Sequence, residues 1–244
     1  MAEKKGISGS TLKIIAVVSM TIDHTAATIL ARYLMSGSLS SQGWYECYRL
    51  MRGIGRIAFP IYCFLLIEGF LHTGNRRKYA GRLLLFAVLS EIPFDLAFSG
   101  KILEFSYQNV FFTLFLGLLT VMMLAKIEEQ QNWKPILRSL CFAGILLCGM
   151  GCATILRTDY SYYGVMCIAV LYLFRQNRLV QVLAGCAAFF WWELPAVAAF
   201  VPIYFYNGKR GLRMKYFFYL YYPVHLLILY LICVWLGIGG ISVI

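Results

Sequence analysis

Along this chain apolar residues gather in long blocks, bounded by short polar or glycine-containing breaks rather than alternating with polar positions. The blocks run over about 12–35, 54–72, 80–98, 109–125, 136–154, 160–174, 179–192, 195–206 and 216–238. A helix of roughly 20 apolar residues crosses the ~30 Å hydrocarbon core of a bilayer. The pattern therefore predicts an all-α, polytopic transmembrane helical bundle of about nine spans. The seventh and eighth blocks are short and separated by "ELP", so they are either two tilted spans or a re-entrant pair. No repeat, linker or low-complexity stretch divides the sequence, and residues 1–244 are expected to form a single integral membrane domain.

Composition supports a lipid bilayer as the surrounding solvent. The chain is 61% hydrophobic and 14% charged, where soluble domains run near 45–50% and about 25%. The first block is too long for a signal-peptide core and lacks a small-residue cleavage pattern. The eight cysteines fall mostly inside apolar blocks without zinc-like or paired spacing, as small buried hydrophobes do. The formal charge of +11 is read as a cytoplasmic excess of Lys and Arg, not as a nucleic-acid footprint.

That excess tests the span count. With a cytoplasmic N-terminus and nine crossings, sixteen of the 22 basic residues fall inside. They include Lys4, Lys5, Lys13, "RRKYAGR" (76–82) and "KRGLRMK" (209–215). Five fall outside, namely Arg32, Arg49, Arg52, Lys101 and Arg157, and Arg56 lies within the second span. A count in which 179–206 does not cross twice would move "KRGLRMK" outside, so charge favours nine spans and an external C-terminus.

Against this background a few polar residues are out of place. The first span, "TLKIIAVVSMTIDHTAATILARYL", carries Asp23 and His24 near its middle. The second carries Arg56, and the third carries Glu91 and Asp95, four apart on one face, with Pro93 between them. The last carries His225, two residues after Pro223. An ionised side chain at mid-membrane costs roughly 2.5–3.5 kcal/mol, so Asp23, Arg56 and Glu91 must face the interior, paired or hydrated. Neighbouring helix positions do not face each other, so Asp23 is not placed to orient His24. The expected pairing joins Asp23 or Glu91 to Arg56 and leaves His24 free to act. Two mid-depth histidines point to proton handling. The third, His72, lies four residues after Glu68 at a span end and reads as a surface pair. No metal site is expected from three dispersed histidines.

The inner mouth is expected to be cationic, through Lys13, Arg76, Arg77, Lys78 and Arg210. Topology and attraction to anionic lipid account for such residues. They also suit the phosphates of a cofactor, since guanidinium forks match phosphate geometry. No P-loop or dinucleotide fingerprint is present, which leaves nucleotide hydrolysis unsupported. Lys13 lies ~16 Å along the helix from His24, on nearly the same face, a gap that a long-armed acyl donor such as acyl-CoA would span. Asp159 and Tyr163 sit at the outer mouth of the sixth span, where an acceptor would enter. The Tyr-rich stretches "DYSYY" (159–163) and "YFFYLYYP" (216–223) partly resemble interfacial aromatic belts.

Several segments together resemble the TraX family. They are "LKIIAVVSMTIDH", "GRIAFPIYCFLLIEGFLHTGNRRKYAGRLLLFAVLSEIPFDLAF", "NVFFTLFLGLL", "TDYSYYGV" and "FFYLYYPVHLLIL". They are spread from the first span to the last, and the "GRIAFPI…SEIPFDLAF" block is long and specific. The resemblance implies a membrane N-acetyltransferase of the bacterial cytoplasmic (inner) membrane, moving an acetyl group from acetyl-CoA to an amine such as a pilin-like N-terminus. It carries over onto Asp23, His24, Arg56, Glu91, Asp95, Asp159 and His225 as motif positions. In the expected mechanism His24 takes the acceptor's proton, and Arg56 or Tyr222 stabilises the oxyanion. The alternatives are an O-acyltransferase acting on a cell-surface glycan or lipid, a non-catalytic pilus-assembly scaffold, and a proton-coupled transporter. The transporter would also keep His, Asp and Glu at mid-depth, but no inverted repeat is visible.

Overall fold

The computed structural model describes residues 6–39, 41–212 and 215–243; Lys4, Lys5 and Arg213 of the basic runs lie outside them. The chain is all helical, with no strand among the described residues and two isolated bridges, Ile7 with Tyr206 and Gln108 with Thr158. The helices are α1 (Gly9–Thr25), α2 (Ala31–Met35), α3 (Gln42–Gly55), α4 (Ala58–His72), α5 (Arg76–Ser99) and α6 (Val110–Glu128). They continue with α7 (Pro135–Ile155), α8 (Ser161–Leu173), α9 (Arg178–Phe190), α10 (Phe200–Tyr204) and α11 (Lys215–Trp235). A π-helical turn, Ala26–Leu30, joins α1 to α2, and a 3₁₀ turn, Leu194–Ala199, leads into α10.

Local chemistry sets several of these boundaries. Ser8 caps α1 by accepting from the Thr11 N–H, and Asn109 caps α6 by accepting from the Phe111 N–H. Pro135 opens α7, where its missing N–H costs nothing. Pro93 and Pro223 sit inside α5 and α11.

Five helical stretches are long and apolar enough to cross a membrane: Gly9–Met35, Gln42–His72, Val110–Glu128, Pro135–Ile155 and Tyr216–Trp235. The protein is a multi-pass membrane bundle. The apolar helices Ser161–Leu173, Arg178–Phe190 and Leu194–Tyr204 are shorter. At ~1.5 Å per residue each of these falls below the length of a perpendicular crossing. The 31 residues of Gln42–His72 begin well before the apolar block, because amphipathic α3 precedes it and breaks at Arg56.

The chain divides into two compact units. One holds the described residues of 1–62, 89–104 and 189–244, the other residues 63–88 and 105–188. In the second unit α6, α7 and α8 pack closely. A β-carbon at Gly117 would overlap Ile168, and one at Gly149 would overlap Thr120. The Glu128 carboxylate accepts from Tyr172 Oη at 2.7 Å and pairs with Arg175 at 2.6 Å.

In the first unit α1–α2 and α11 lie side by side and run parallel. Lys13 Nζ sits 5.2 Å from the centre of the Phe218 ring, and the Thr21 and Tyr221 hydroxyls are 2.6 Å apart. Further along, His24 meets His225 at 2.7 Å and Arg32 meets Cys233 at 3.5 Å. Both helices start at the same end, where the Gly9 and Ser10 N–H groups donate to the carbonyls of Lys209 and Arg210. Parallel packing of two spanning helices requires an odd number of crossings between residues 36 and 206. Nine spans have this parity, but so does a re-entrant 179–206, which crosses not at all and leaves α11 oriented as two crossings would; the expectation that such a segment moves "KRGLRMK" outside is corrected.

The burial pattern is that of a protein in lipid. Ile14, Val18, Leu85, Val88, Leu227 and Leu231 are exposed on helix faces, whereas Asp23, Arg32, Ser90, Asp95 and His225 are buried.

Candidate functional site

The last turn of α1, midway along the helical stretch Gly9–Met35, is where polar groups from three helices converge. Asp23 and His24 are adjacent and therefore point about 100° apart. Asp23 faces α3 and His24 faces α11.

On the α3 side, Arg52 Nη1 donates to Asp23 Oδ2 at 2.7 Å. Ser19 Oγ lies within hydrogen-bond distance of the Ile54 and Gly55 carbonyls, at 2.6 and 3.2 Å. Gly55 is required here, because a β-carbon would collide with Asp23. Asp23 pairs with Arg52, one turn before Arg56, and Arg56 pairs with Glu193 at 3.4 Å. The physical reason is the end of α3 at Gly55, with Arg56 as its capping residue, which turns Arg56 toward the segment that follows α9.

On the α11 side, the hydrogen bonds fix a direction. His225 Nδ1 lies 2.7 Å from the Tyr221 carbonyl, which can only accept, so His225 carries its proton on Nδ1. His225 Nε2 is then the acceptor in its 2.7 Å contact with His24 Nδ1, which must donate. In neutral His24 the lone pair is left on Nε2, with no hydrogen-bond partner among the described residues. These tautomers are assigned from the network. The two rings are nearly parallel, at 6°, with centroids 4.9 Å apart. Tyr222, itself buried, stands edge-on to both rings, and Phe98 of α5 stands edge-on to His24. Immediately after His24 the helix widens into the π turn, a feature frequent at functional sites.

The remaining predicted residues are dispersed. Glu91 and Asp95 lie on the part of α5 that belongs to the first unit. The Glu104 N–H donates to Asp95 Oδ2 at 2.8 Å, and the Ser99 hydroxyl donates to the Asp95 carbonyl at 2.7 Å. Asp159 and Tyr163 lie in the second unit, where Tyr107 Oη donates to Asp159 Oδ1 at 2.7 Å and Thr113 Oγ1 donates to its carbonyl. The cationic set also divides. Lys13 and Arg210 belong to the first unit, and Arg76, Arg77 and Lys78 are exposed at the start of α5 in the second. Arg76 stacks on Phe70 at 4.4 Å. His72 is mostly exposed and bonds the Glu68 carbonyl at 2.8 Å, as a surface residue would. Among the described residues no group of His, Cys, Asp or Glu is clustered to hold a metal ion.

Three residues escaped sequence reasoning. Arg52 was placed among the external cations, but it holds α3 to α1. Glu193, in "WWELP", carried a signal as the lone acid in an apolar segment. Arg32 was assigned to the outer surface and is fully buried in α2.

Taken together, the helices and the His24–His225 contact define a polytopic membrane protein with a buried histidine pair. The chain belongs to the TraX family, whose model, described as "TraX protein", matches residues 8–233. It is similar to a protein of Dichelobacter nodosus named "Probable fimbrial assembly protein FimC, serogroup H1", 34% identical over 250 residues covering 94% of this chain and 97% of the relative. No solved structure matches the chain.

Proposed function

We propose that the protein is a membrane-embedded acetyltransferase that moves an acetyl group from acetyl-CoA to an amine. The single observation that carries this is the directed chain from the Tyr221 carbonyl through His225 to His24, which leaves the lone pair of His24 Nε2 without a hydrogen-bond partner among the described residues. A general base needs a lone pair in reach of the proton it abstracts and a partner that orients its ring. His225 supplies the orientation.

His24 Nε2 accepts a proton from the acceptor amine as the nitrogen attacks the acetyl carbon. The Tyr222 hydroxyl or Arg56 would donate to the oxyanion. The carbon–sulfur bond then breaks, and His24 returns the proton to the leaving thiolate, giving amide and free thiol. While His24 is an imidazolium, its Nδ1–H remains bonded to His225. Lys13 and Arg210, at the shared start of α1 and α11, would hold the donor's phosphates. Support for fit comes from the chemistry of these side chains and from the loop at 207–212, which is tied to residues 6–10 by backbone bonds.

The Dichelobacter nodosus relative's name makes a fimbrial subunit's N-terminus a natural acceptor, as does the TraX resemblance. We place the protein in the bacterial cytoplasmic membrane with its N-terminus inside. Purified protein incubated with labelled acetyl-CoA and a peptide with a free N-terminus should label that peptide and not its N-blocked form. Label on a hydroxyl acceptor alone would make it an O-acyltransferase. No transfer to either would leave a scaffold or transporter.

A further inference from the structure

Arg32 is wholly buried, makes no ion pair among the described residues, and sits two helical turns beyond His24 on the same face, about 12 Å along the axis. Its Nη1 donates to the Thr28 carbonyl at 3.4 Å and to Cys233 Sγ at 3.5 Å. Its Nε donates to the Ile241 carbonyl at 2.8 Å, and Nη2 is buried without a hydrogen-bond partner among the described residues. The Nε–H and one Nη2–H of a guanidinium point the same way and form the edge that grips a two-oxygen anion. Here a single carbonyl oxygen occupies half of that edge, and no described residue bonds the other half. A buried cation left this way is costly unless an anion completes it.

The carbonyl comes from a strap, residues 236–243, that folds back over the end of α11. It is glycine-rich at 237, 239 and 240. The Val243 N–H donates to the Phe98 carbonyl at 2.8 Å, and the Gly237 and Ile238 N–H groups close the end of α11. Phe98 is the residue whose ring stands against His24.

We propose that Arg32 is the docking point for a carboxylate of the acceptor, and that the Ile241 carbonyl occupies this position until the acceptor displaces the strap. The acceptor is then a molecule with its amine at His24 and a carboxylate about 12 Å away, a spacing that roughly four extended residues reach. What this says of the acceptor rests on the acyl-transfer proposal. Carboxylate binding itself does not, so the test contains no acetyl-CoA.

The full chain in nanodiscs is titrated with tetra-alanine bearing a free C-terminal carboxylate and with its C-terminal amide. The acid form should bind about tenfold or more tightly, as a charge-assisted pair does, and Arg32→Gln should erase the difference. Val243→Pro, which removes the strap's bond to Phe98 and keeps Arg32, should raise affinity for the acid form. Equal binding of acid and amide by the parent overturns the proposal. So does an acid preference that survives Arg32→Gln, or one that Val243→Pro leaves unchanged. An acid preference that Arg32→Gln erases, beside no transfer in the separate labelled acetyl-CoA assay, would instead count against the acyl-transfer proposal alone.

Discussion

At residue scale the division of labour between Asp23 and His24 follows from one helical step. The carboxylate turns to Arg52 and the imidazole to His225, so two neighbours serve different helices. Asp23→Asn should act on folding rather than chemistry, because it leaves the Arg52 guanidinium without its charge. The cost is on the order of 2–4 kcal/mol, below that of a fully buried pair since Arg52 keeps some exposure. Thermal unfolding in detergent checks this, and Arg52→Gln should recover part of the loss when combined with it. The sequence made Asp23, His24 and His225 visible because ionisable groups are rare at mid-span. It could not reveal that Arg52 meets Asp23 and that Arg56 meets Glu193, since one turn separates the two arginines and the break after Gly55 falls between them. Arg32 was missed for a related reason. A cation near a span end is ordinarily read as interfacial, and its burial depends on a strap far away in sequence.

At the scale of elements, the parallel contact of α1–α2 with α11 organises the site. Cysteines replacing Thr21 and Tyr221, in a background without the native cysteines, should cross-link readily, and Thr21 with Val234 should not. Reversal of that outcome would mean an antiparallel pair and a different site. Helix existence was legible in the blocks of apolar residues, nearly all of which fall within helices. Helix α3 was not, because it is amphipathic and lies outside the hydropathy block. The π turn was also hidden, since Ala26–Leu30 reads as ordinary helix and one extra residue per turn leaves no compositional trace.

For the whole molecule, the class and multi-pass character follow from composition, while the number of crossings depends on short helices that length alone does not place. Parity is better determined than count. Single cysteines at Lys78 and Gly208 should label from the cytoplasmic side and one at Gly240 from the outside, and labelling of Gly208 and Gly240 from one side would refute the orientation. The central claim is that His24 is the base of an acetyl transfer, and single-turnover transfer from labelled acetyl-CoA to a peptide amine tests it most directly. The account predicts that His24→Ala protein stays folded and binds acetyl-CoA while its transfer rate falls by roughly 10²–10⁴, with His225→Ala intermediate. A His24→Ala protein that transfers at the parent rate would contradict it.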